Sequence, residues 1–320
     1  MAFPSDRTGD IAPFQVMVLM TEAHRLENQG VDVIHLEVGE PDFPTPEPIV
    51  EAGIRSLREG KTRYTMAMGM PELREAIAGY YEDRFGVKLS PRQIVLTPGS
   101  TGALLLISAA RLNPGDGLLV ADPGYPCNRH FARIFESHGQ LVPCGPEVNY
   151  QLTPDHVRQH WQANTRAALV ATPANPTGTV LSREALIGLD AAVKDKGGEL
   201  WVDEIYQGLN FDGEAHTVLS VAPDAVVLNS FSKYFGMTGW RLGWAVAPEE
   251  WEPDLERLAQ NLFLAPPTTA QYAAMAAFQP ETIEILEQRR EILRERRAFL
   301  LDALPKLGFG LSVEPQGAFY

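Results

Sequence analysis

The sequence predicts an α/β fold with a mostly parallel central sheet flanked by helices, plus a smaller second domain. Three observations point there. Short apolar runs alternate with helix-length amphipathic segments through most of the 320 residues, the pattern of βα units rather than of an all-helical or all-strand protein. Several of those runs are followed at once by Gly, Ser, Asn, Asp or Pro, as in "TPGST", "ADPGYP", "TPANPTG", "VDEIY" and "NSFSK". Open α/β sheets build their ligand crevice beyond the carboxyl ends of the strands. An apolar content of 45% over this length is also enough for a large core.

In chain order, residues 13–29 read as a helix closed by Gly30, and "VDVIHLEVGEPDFPTPEP" as a strand entering a Pro-rich loop. Strands are expected at Ile94–Thr97, Leu118–Ala121, Ala168–Thr172, Leu200–Asp203, Val226–Asn229 and Leu242–Ala247. Helical patterns occupy Thr101–Leu112 and Arg183–Lys194 between them. The segment "ETIEILEQRREILRERRAFLLDAL" is one long amphipathic helix, with Ile285, Ile292 and Phe299 recurring every seventh residue beside Leu286, Leu293 and Leu300. Three heptads admit a coiled coil, but a packed helix of the smaller domain is the better reading. "FGLSVEP" near the end reads as a strand awaiting partners. The division expected is residues 1–38 as part of the small domain, 39–265 as the large domain, and 266–320 as a further small-domain segment.

A net charge of −14 with no basic cluster excludes a nucleic-acid partner. Two cysteines, Cys127 and Cys144, make no disulfide framework and fit a reducing compartment. The start "MAFPSDRTGD" is not a signal peptide, and the longest apolar stretch, Ala103–Ala110, is too short to span a bilayer. A cytoplasmic protein is expected.

Chemistry concentrates in "NSFSKYFGMTGWRLGW". Lys233 stands alone there between apolar runs, and a desolvated lysine has a lowered pKa and attacks carbonyls to form Schiff bases. Arg241 offers a planar fork suited to phosphate, and Ser230 and Ser232 offer hydroxyls. Upstream, "TPGSTGALLL" places Gly99, Ser100, Thr101 and Gly102 between a strand and a helix, where amides and dipole face an anion or merely cap a turn. Asp203 in "WVDEIYQGL" could hold a proton on a ring nitrogen, or cap a helix. Tyr206, three residues on, could bond a ring oxygen. Asn175 precedes Pro176, which orients its amide or simply makes a turn. Tyr125 could stack on a flat ligand or be a half-buried aromatic.

All of these in this order closely resemble the class I/II aminotransferases of the aspartate aminotransferase type, pyridoxal 5′-phosphate (PLP) enzymes of fold type I. The resemblance runs from "VIHLEVGEPDFPTP" to "PQGAFY"; "SFSKYFGMTGWRLGW" and "NPTG" are its most specific parts, with "GEPDF" and "YTMAMGMPELREAI" as secondary markers. It implies that Lys233 carries the cofactor as a Schiff base, that Asp203 pairs with the pyridine nitrogen, and that Asn175 and Tyr206 contact the ring hydroxyl. Tyr125 would stack on the ring, and Ser100, Thr101, Ser230, Arg241 and, less strongly, Ser232 would form the phosphate cup. Tyr64 would reach the phosphate held by the other subunit, implying a homodimer, and Gly39 and Asn175 would contact the substrate. The implied activity moves an amino group between an L-amino acid and a 2-oxo acid by a ping-pong mechanism. A C–S β-lyase or decarboxylase would use the same cofactor residues, and a non-catalytic PLP sensor is a further alternative.

In the family "PQGAFY" is followed by several dozen residues that include an arginine clamping the substrate α-carboxylate. No residue here matches it, so the small domain is expected to be incomplete at its C-terminal side. His156 and His160 have zinc-like spacing but lack a third ligand and the glutamate base of "HExxH", so they read as a solvated helix face. Neither a P-loop nor a G-x-S-x-G elbow occurs.

Overall fold

The computed structural model describes residues 4–213 and 215–320. Seven strands form one sheet: β1 (Ile94–Thr97), β2 (Gly117–Asp122), β3 (His138–Pro143), β4 (Thr165–Ala171), β5 (Glu199–Asp203), β6 (Val226–Ser230) and β7 (Gly243–Val246). Their order is β1-β7-β6-β5-β4-β2-β3. Only β7 runs against its neighbours, β1 and β6; every other pairing is parallel. The helices are α1 (Arg7–Asp10), α2 (Gln15–Glu27), α3 (Glu47–Arg58), α4 (Pro71–Phe85), α5 (Gly99–Arg111) and α6 (Asn128–Ile134). They continue with α7 (Pro154–His160), α8 (Arg183–Asp195), α9 (Glu252–Leu262), α10 (Thr268–Ala274) and α11 (Pro280–Lys306).

The strands are apolar on both faces because both faces are covered. Alternate residues of one strand enter different cores: Ile94 and Leu96, Leu200 and Val202, and Val227 join one cluster. Val95, Trp201, Val226 and Leu228 join the other, with Leu106 and Ile107 of α5. A period of two thus places neighbouring apolar residues on opposite sides of one sheet. Trp244 of β7 is fully buried, with its ring centre 4.9 Å from that of Phe231 and its Nε1–H 3.3 Å from the Tyr81 hydroxyl. Trp244→Ala is expected to cost about 3–5 kcal/mol, read as a lower urea midpoint of the cofactor-free chain. A loss below about 1 kcal/mol would mean that the site collapses around the missing ring.

The six expected strands form within three residues of their predicted bounds, β1 at the same residues. β3 is an additional strand; it is the sheet edge, and "HGQLVP" carries too little apolar alternation to announce itself. Two expected strands do not form. Residues 31–36 and 310–314 lack strand pairing, and a strand needs a partner to satisfy its amides. Ile34 and Leu36 are consequently 82% and 88% exposed. The long helix is α11, and it is packed rather than coiled: Thr282 and Leu286 are buried and Leu293 abuts the core, whereas Ile292 and Phe299 of the seven-residue stripe are exposed. Arg296 pairs with Asp42 at 2.8 Å and Arg84 with Glu287 at 2.9 Å, docking α11 beside the loop that precedes α3 and against α4. Among the described residues no helix is long and apolar enough to cross a membrane.

Candidate active site

The carboxyl ends of β1, β5 and β6 open onto a cleft of about 570 Å³, with Ser100, Thr101, Tyr125, Asn175, Asp203 and Tyr206 on its walls. Ser232, Lys233, Arg241 and Gly39 also line it. The loop after β6 is held by Ser230 and Thr238. Ser230 Oγ lies 3.1 Å from the Leu242 carbonyl and accepts from the Ser232 amide at 3.0 Å, while Thr238 Oγ1 donates to the Ser232 carbonyl at 2.9 Å. That turn presents Ser232 and Lys233 to the cleft. Ser230 itself is buried behind Ser232, their hydroxyls 2.9 Å apart.

Lys233 is half-buried, and its Nζ donates to the Gly39 carbonyl at 2.6 Å. Burial lowers its pKa and the Arg241 charge lowers it further, against the opposing pull of Glu40 and Asp203. Asp203, at the end of β5, is only 6% exposed. Burial pushes its carboxyl up to about 7, although the Ile205 amide donates to it at 3.1 Å and Lys233 draws it down. A buried acid beside a partly desolvated amine is the kind of perturbed pair that marks functional sites.

Arg241 reaches one end of the cleft from a left-handed backbone, φ +54°. Its NH1 donates to the Thr238 carbonyl at 2.9 Å and lies 3.5 Å from Ser232 Oγ. Opposite it, α5 begins at Gly99 with no side chain capping its first turn. A Cβ on Gly99, itself at φ +72°, would sit 2.4 Å from the Arg241 guanidinium, so glycine is what lets the fork close over the helix start. Uncapped amides, a helix dipole, the hydroxyls of Ser100, Thr101 and Ser232 and a guanidinium make an anion cradle.

At the other end, Asn175 Nδ2 donates to the Tyr206 hydroxyl at 3.3 Å and to that of Tyr320 at 2.9 Å; the two phenol oxygens are 2.6 Å apart. Burial raises the Tyr206 pKa, so it stays a neutral donor. Tyr125 packs edge-on to Phe14, ring centres 5.9 Å apart. The N-terminal arm carrying Phe14 is anchored where Arg7 bonds the Ile134 carbonyl (2.9 Å) and Glu136 (3.0 Å), and where Asp10 meets Arg133 (2.8 Å).

The cleft gathers every sequence-predicted site residue except Ser230, which supports it from behind, and Tyr64, which is 82% exposed and outside its walls. Tyr320, Phe14, Val16 and Glu37 also line the cleft, though none was singled out from the sequence. Tyr320 and Glu37 stand within quoted motifs; Phe14 and Val16 lie in text whose only signal is apolar character. The cofactor expected from the sequence has a phosphate, a basic ring nitrogen, a phenolic oxygen and an aldehyde. The cradle, Asp203, the Asn175–Tyr206 pair and Lys233 supply a complementary group for each, so the donor set fits.

The aminotransferase class I and II family matches residues 31–320. A valine–pyruvate aminotransferase of Mycobacterium tuberculosis is 36% identical over 97% of this chain and 80% of its own length. An aspartate/prephenate aminotransferase of Thermus thermophilus is 35% identical over 99% of this chain and 83% of its own length. The structure of T. thermophilus aspartate aminotransferase with maleate superposes with a TM-score of 0.94 at 34% identity, over 99% of this chain and 84% of that one. Family match, relatives and fold agree: the chain belongs to the class I and II aminotransferases and is a PLP-dependent transferase of amino groups.

Proposed function

We propose that the chain exchanges amino groups in two stages on this one cleft, releasing a 2-oxo acid before a second one binds. The observation that carries the reading is the placement of Lys233, Asp203 and Arg241 on the walls of a single cleft. Lys233 holds the cofactor's aldehyde carbon, Asp203 its ring nitrogen, Asn175 and Tyr206 its phenolic oxygen, and Tyr125 the ring face. Arg241, Ser100, Thr101 and Ser232 hold the phosphate, with Ser230 as the support of Ser232. When bound, PLP supplies a conjugated ring that withdraws electrons from the substrate Cα. Lys233 would be the base that takes the substrate Cα proton, its lowered pKa matching that task. Asp203 keeps a proton on the ring nitrogen, and the neutral Tyr206 donates rather than accepts. Gly39 and Asn175 lie where the substrate carboxylate would be received.

The cleft also favours a substrate class. Its lining cations are Lys233 and Arg241, both assigned above to the cofactor, and its carboxylate not so assigned is Glu37, which is paired with His35 at 2.7 Å. Phe14, Val16, Met17 and Leu104 make an apolar wall. The cleft shares Phe14, Val16, Thr101, Tyr125 and Pro126 with a second, largely apolar cavity of about 590 Å³ under the N-terminal arm. An aspartate side chain would meet Glu37 without a cation, whereas an aliphatic one buries roughly 0.8 kcal/mol per methylene. Amino donors with apolar side chains are expected to exceed aspartate in kcat/KM by at least about tenfold, measured with pyruvate and 2-oxoglutarate as acceptors. A preference for aspartate would overturn the substrate class, and release of ammonia in place of amino transfer would overturn the reaction.

A homodimer is part of this reading, with the exposed Tyr64 presented to the other subunit's cleft; a monomer by light scattering would remove it. The two cysteines, both unpaired, support a cytoplasmic setting. Residues 39–265 would form the cofactor-holding domain, with 1–38 and 266–320 as parts of the smaller one.

A further inference from the structure

Away from the cofactor cleft, two histidines and a carboxylate converge on the N-terminal arm. His24 and Glu27 lie three apart near the end of α2, so one helical turn puts them on the same face. The chain turns back at Gly30, φ +85°, and returns His35 beside them. His24 Nδ1 lies 2.8 Å from Glu27 Oε2, and His35 Nε2 lies 2.9 Å from Glu27 Oε1. One ligand atom from each of the three residues falls within 4.8 Å of the others. The far side of the His35 ring is also engaged: Nδ1 lies 2.7 Å from Glu37 Oε1.

We infer that His24, Glu27 and His35 form a binding site for a divalent transition-metal cation, with Zn²⁺ the best match. Two imidazoles and one carboxylate suit zinc, and leave one tetrahedral position for water. Calcium and magnesium want oxygen ligands only, so this set does not favour them. The geometry is near what an ion needs. At metal–ligand distances of about 2.0–2.1 Å, tetrahedral ligand atoms stand roughly 3.3 Å apart, so the two nitrogen–oxygen separations, made to different oxygens of Glu27, must open by a few tenths of an ångström. The widest ligand pair must close from within 4.8 Å, a side-chain rotation that exposed residues can make. Two imidazoles on one such ion place their ring centres about 5 Å apart, and here they are 5.6 Å apart.

Glu37 separates this cluster from an ordinary surface ion pair. By accepting from His35 Nδ1–H, Glu37 would leave Nε2 to bind the ion once it displaces the Nε2 proton, the carboxylate–histidine–metal arrangement of bound sites. All three ligand residues are exposed, so an ion has open access. Glu37 also lines the cofactor cleft, two residues before the Gly39 carbonyl that accepts from Lys233. An ion here therefore ties the end of α2 to the segment that meets the lysine.

The test uses tag-free, chelator-washed protein titrated with Zn²⁺ by calorimetry and with Co²⁺ by its visible ligand-field band. One ion per chain is expected, with the intense band of a tetrahedral nitrogen–oxygen site. His35→Ala and the shape-preserving Glu27→Gln should each weaken binding at least tenfold. Glu37→Gln, which touches no ion, should weaken it about tenfold. His160→Ala, at the other close histidine pair, should leave it unchanged. No uptake by the wild-type chain, or equal uptake by a His24→Ala/His35→Ala double variant, overturns the proposal.

Discussion

Lys233→Ala is expected to lower kcat by about 10⁴-fold or more, because in the proposed function one amine both holds the cofactor and moves the Cα proton. The structure explains why no other lysine can substitute. Lys233 is the lysine lining the cleft, it is half-buried, and burial with Arg241 nearby keeps its pKa below that of a surface amine. Its one hydrogen-bond acceptor is a neutral carbonyl, Gly39 O at 2.6 Å, rather than a carboxylate that would hold it charged. Lys233→Arg separates the two explanations of an inactive variant. It retains the positive charge and much of the packing, but a guanidinium neither attacks a carbonyl nor gives up its proton. Both variants should therefore be inactive, and both should fold. Borohydride reduction followed by mass spectrometry supplies the independent readout: the wild-type chain should gain one cofactor mass on the peptide carrying Lys233, and neither variant should gain it. A variant within tenfold of wild-type kcat, or cofactor fixed to a different lysine, would remove Lys233 from its role.

The parts of this protein legible in its sequence are those where one local rule acts alone. The strands β1, β5 and β6 announce themselves because both faces are buried, so apolar residues run unbroken until a polar end. The site residues at those ends are legible for the same reason: Lys233, Asp203 and Ser100 interrupt or follow apolar text at positions where a parallel sheet builds its crevice. What stayed hidden depends on partners distant in sequence. β3 is a strand because β2 lies beside it, not because "HGQLVP" alternates. Residues 31–36 alternate convincingly, yet among the described residues no strand pairs with them. In α11 two adjoining seven-residue stripes are visible in the sequence, one of Ile285, Ile292 and Phe299 and one of Leu286, Leu293 and Leu300. The core takes Leu286 and Leu293 together with Thr282 and leaves Ile292 and Phe299 exposed, and three heptads cannot reveal which of two stripes the rest of the molecule will cover. Ser230 and Ser232 show the same limit at finer scale. Spacing places both near a phosphate, and only the turn held by Leu242 and Thr238 decides that Ser232 faces the cleft.

Asp203→Ala and Asp203→Asn are each expected to lower kcat by about 10³-fold, the cost of removing one preorganised charge from a buried site, while Asp203→Glu should retain more. The carboxylate is costly to keep in the cofactor-free chain. Burial raises it from the usual 3.8 to about 7, and the adjoining Glu204 is raised to about 7 as well, despite hydrogen bonds from the Val218 amide at 2.7 Å and the Thr217 hydroxyl. The sign of the linkage follows from those directions. Each group binds its proton more tightly when folded than when unfolded, so its contribution to stability is full below about pH 4. It is lost progressively as pH rises through about 7. Cofactor-free protein should therefore melt at a lower temperature at pH 8 than at pH 5. Asp203→Asn should flatten that slope by its own share and leave the Glu204 share in place. In the proposed function a protonated ring nitrogen against Asp203 would make ionisation favourable, so adding PLP should stabilise the wild type most at the alkaline end, where the unpaired carboxylate is most costly. Asp203→Asn should lose this pH-weighted gain while keeping the part contributed by the phosphate cradle. If Asp203→Asn keeps kcat within tenfold and melts with an unchanged pH slope, the buried carboxylate neither titrates near 7 nor supports the ring nitrogen.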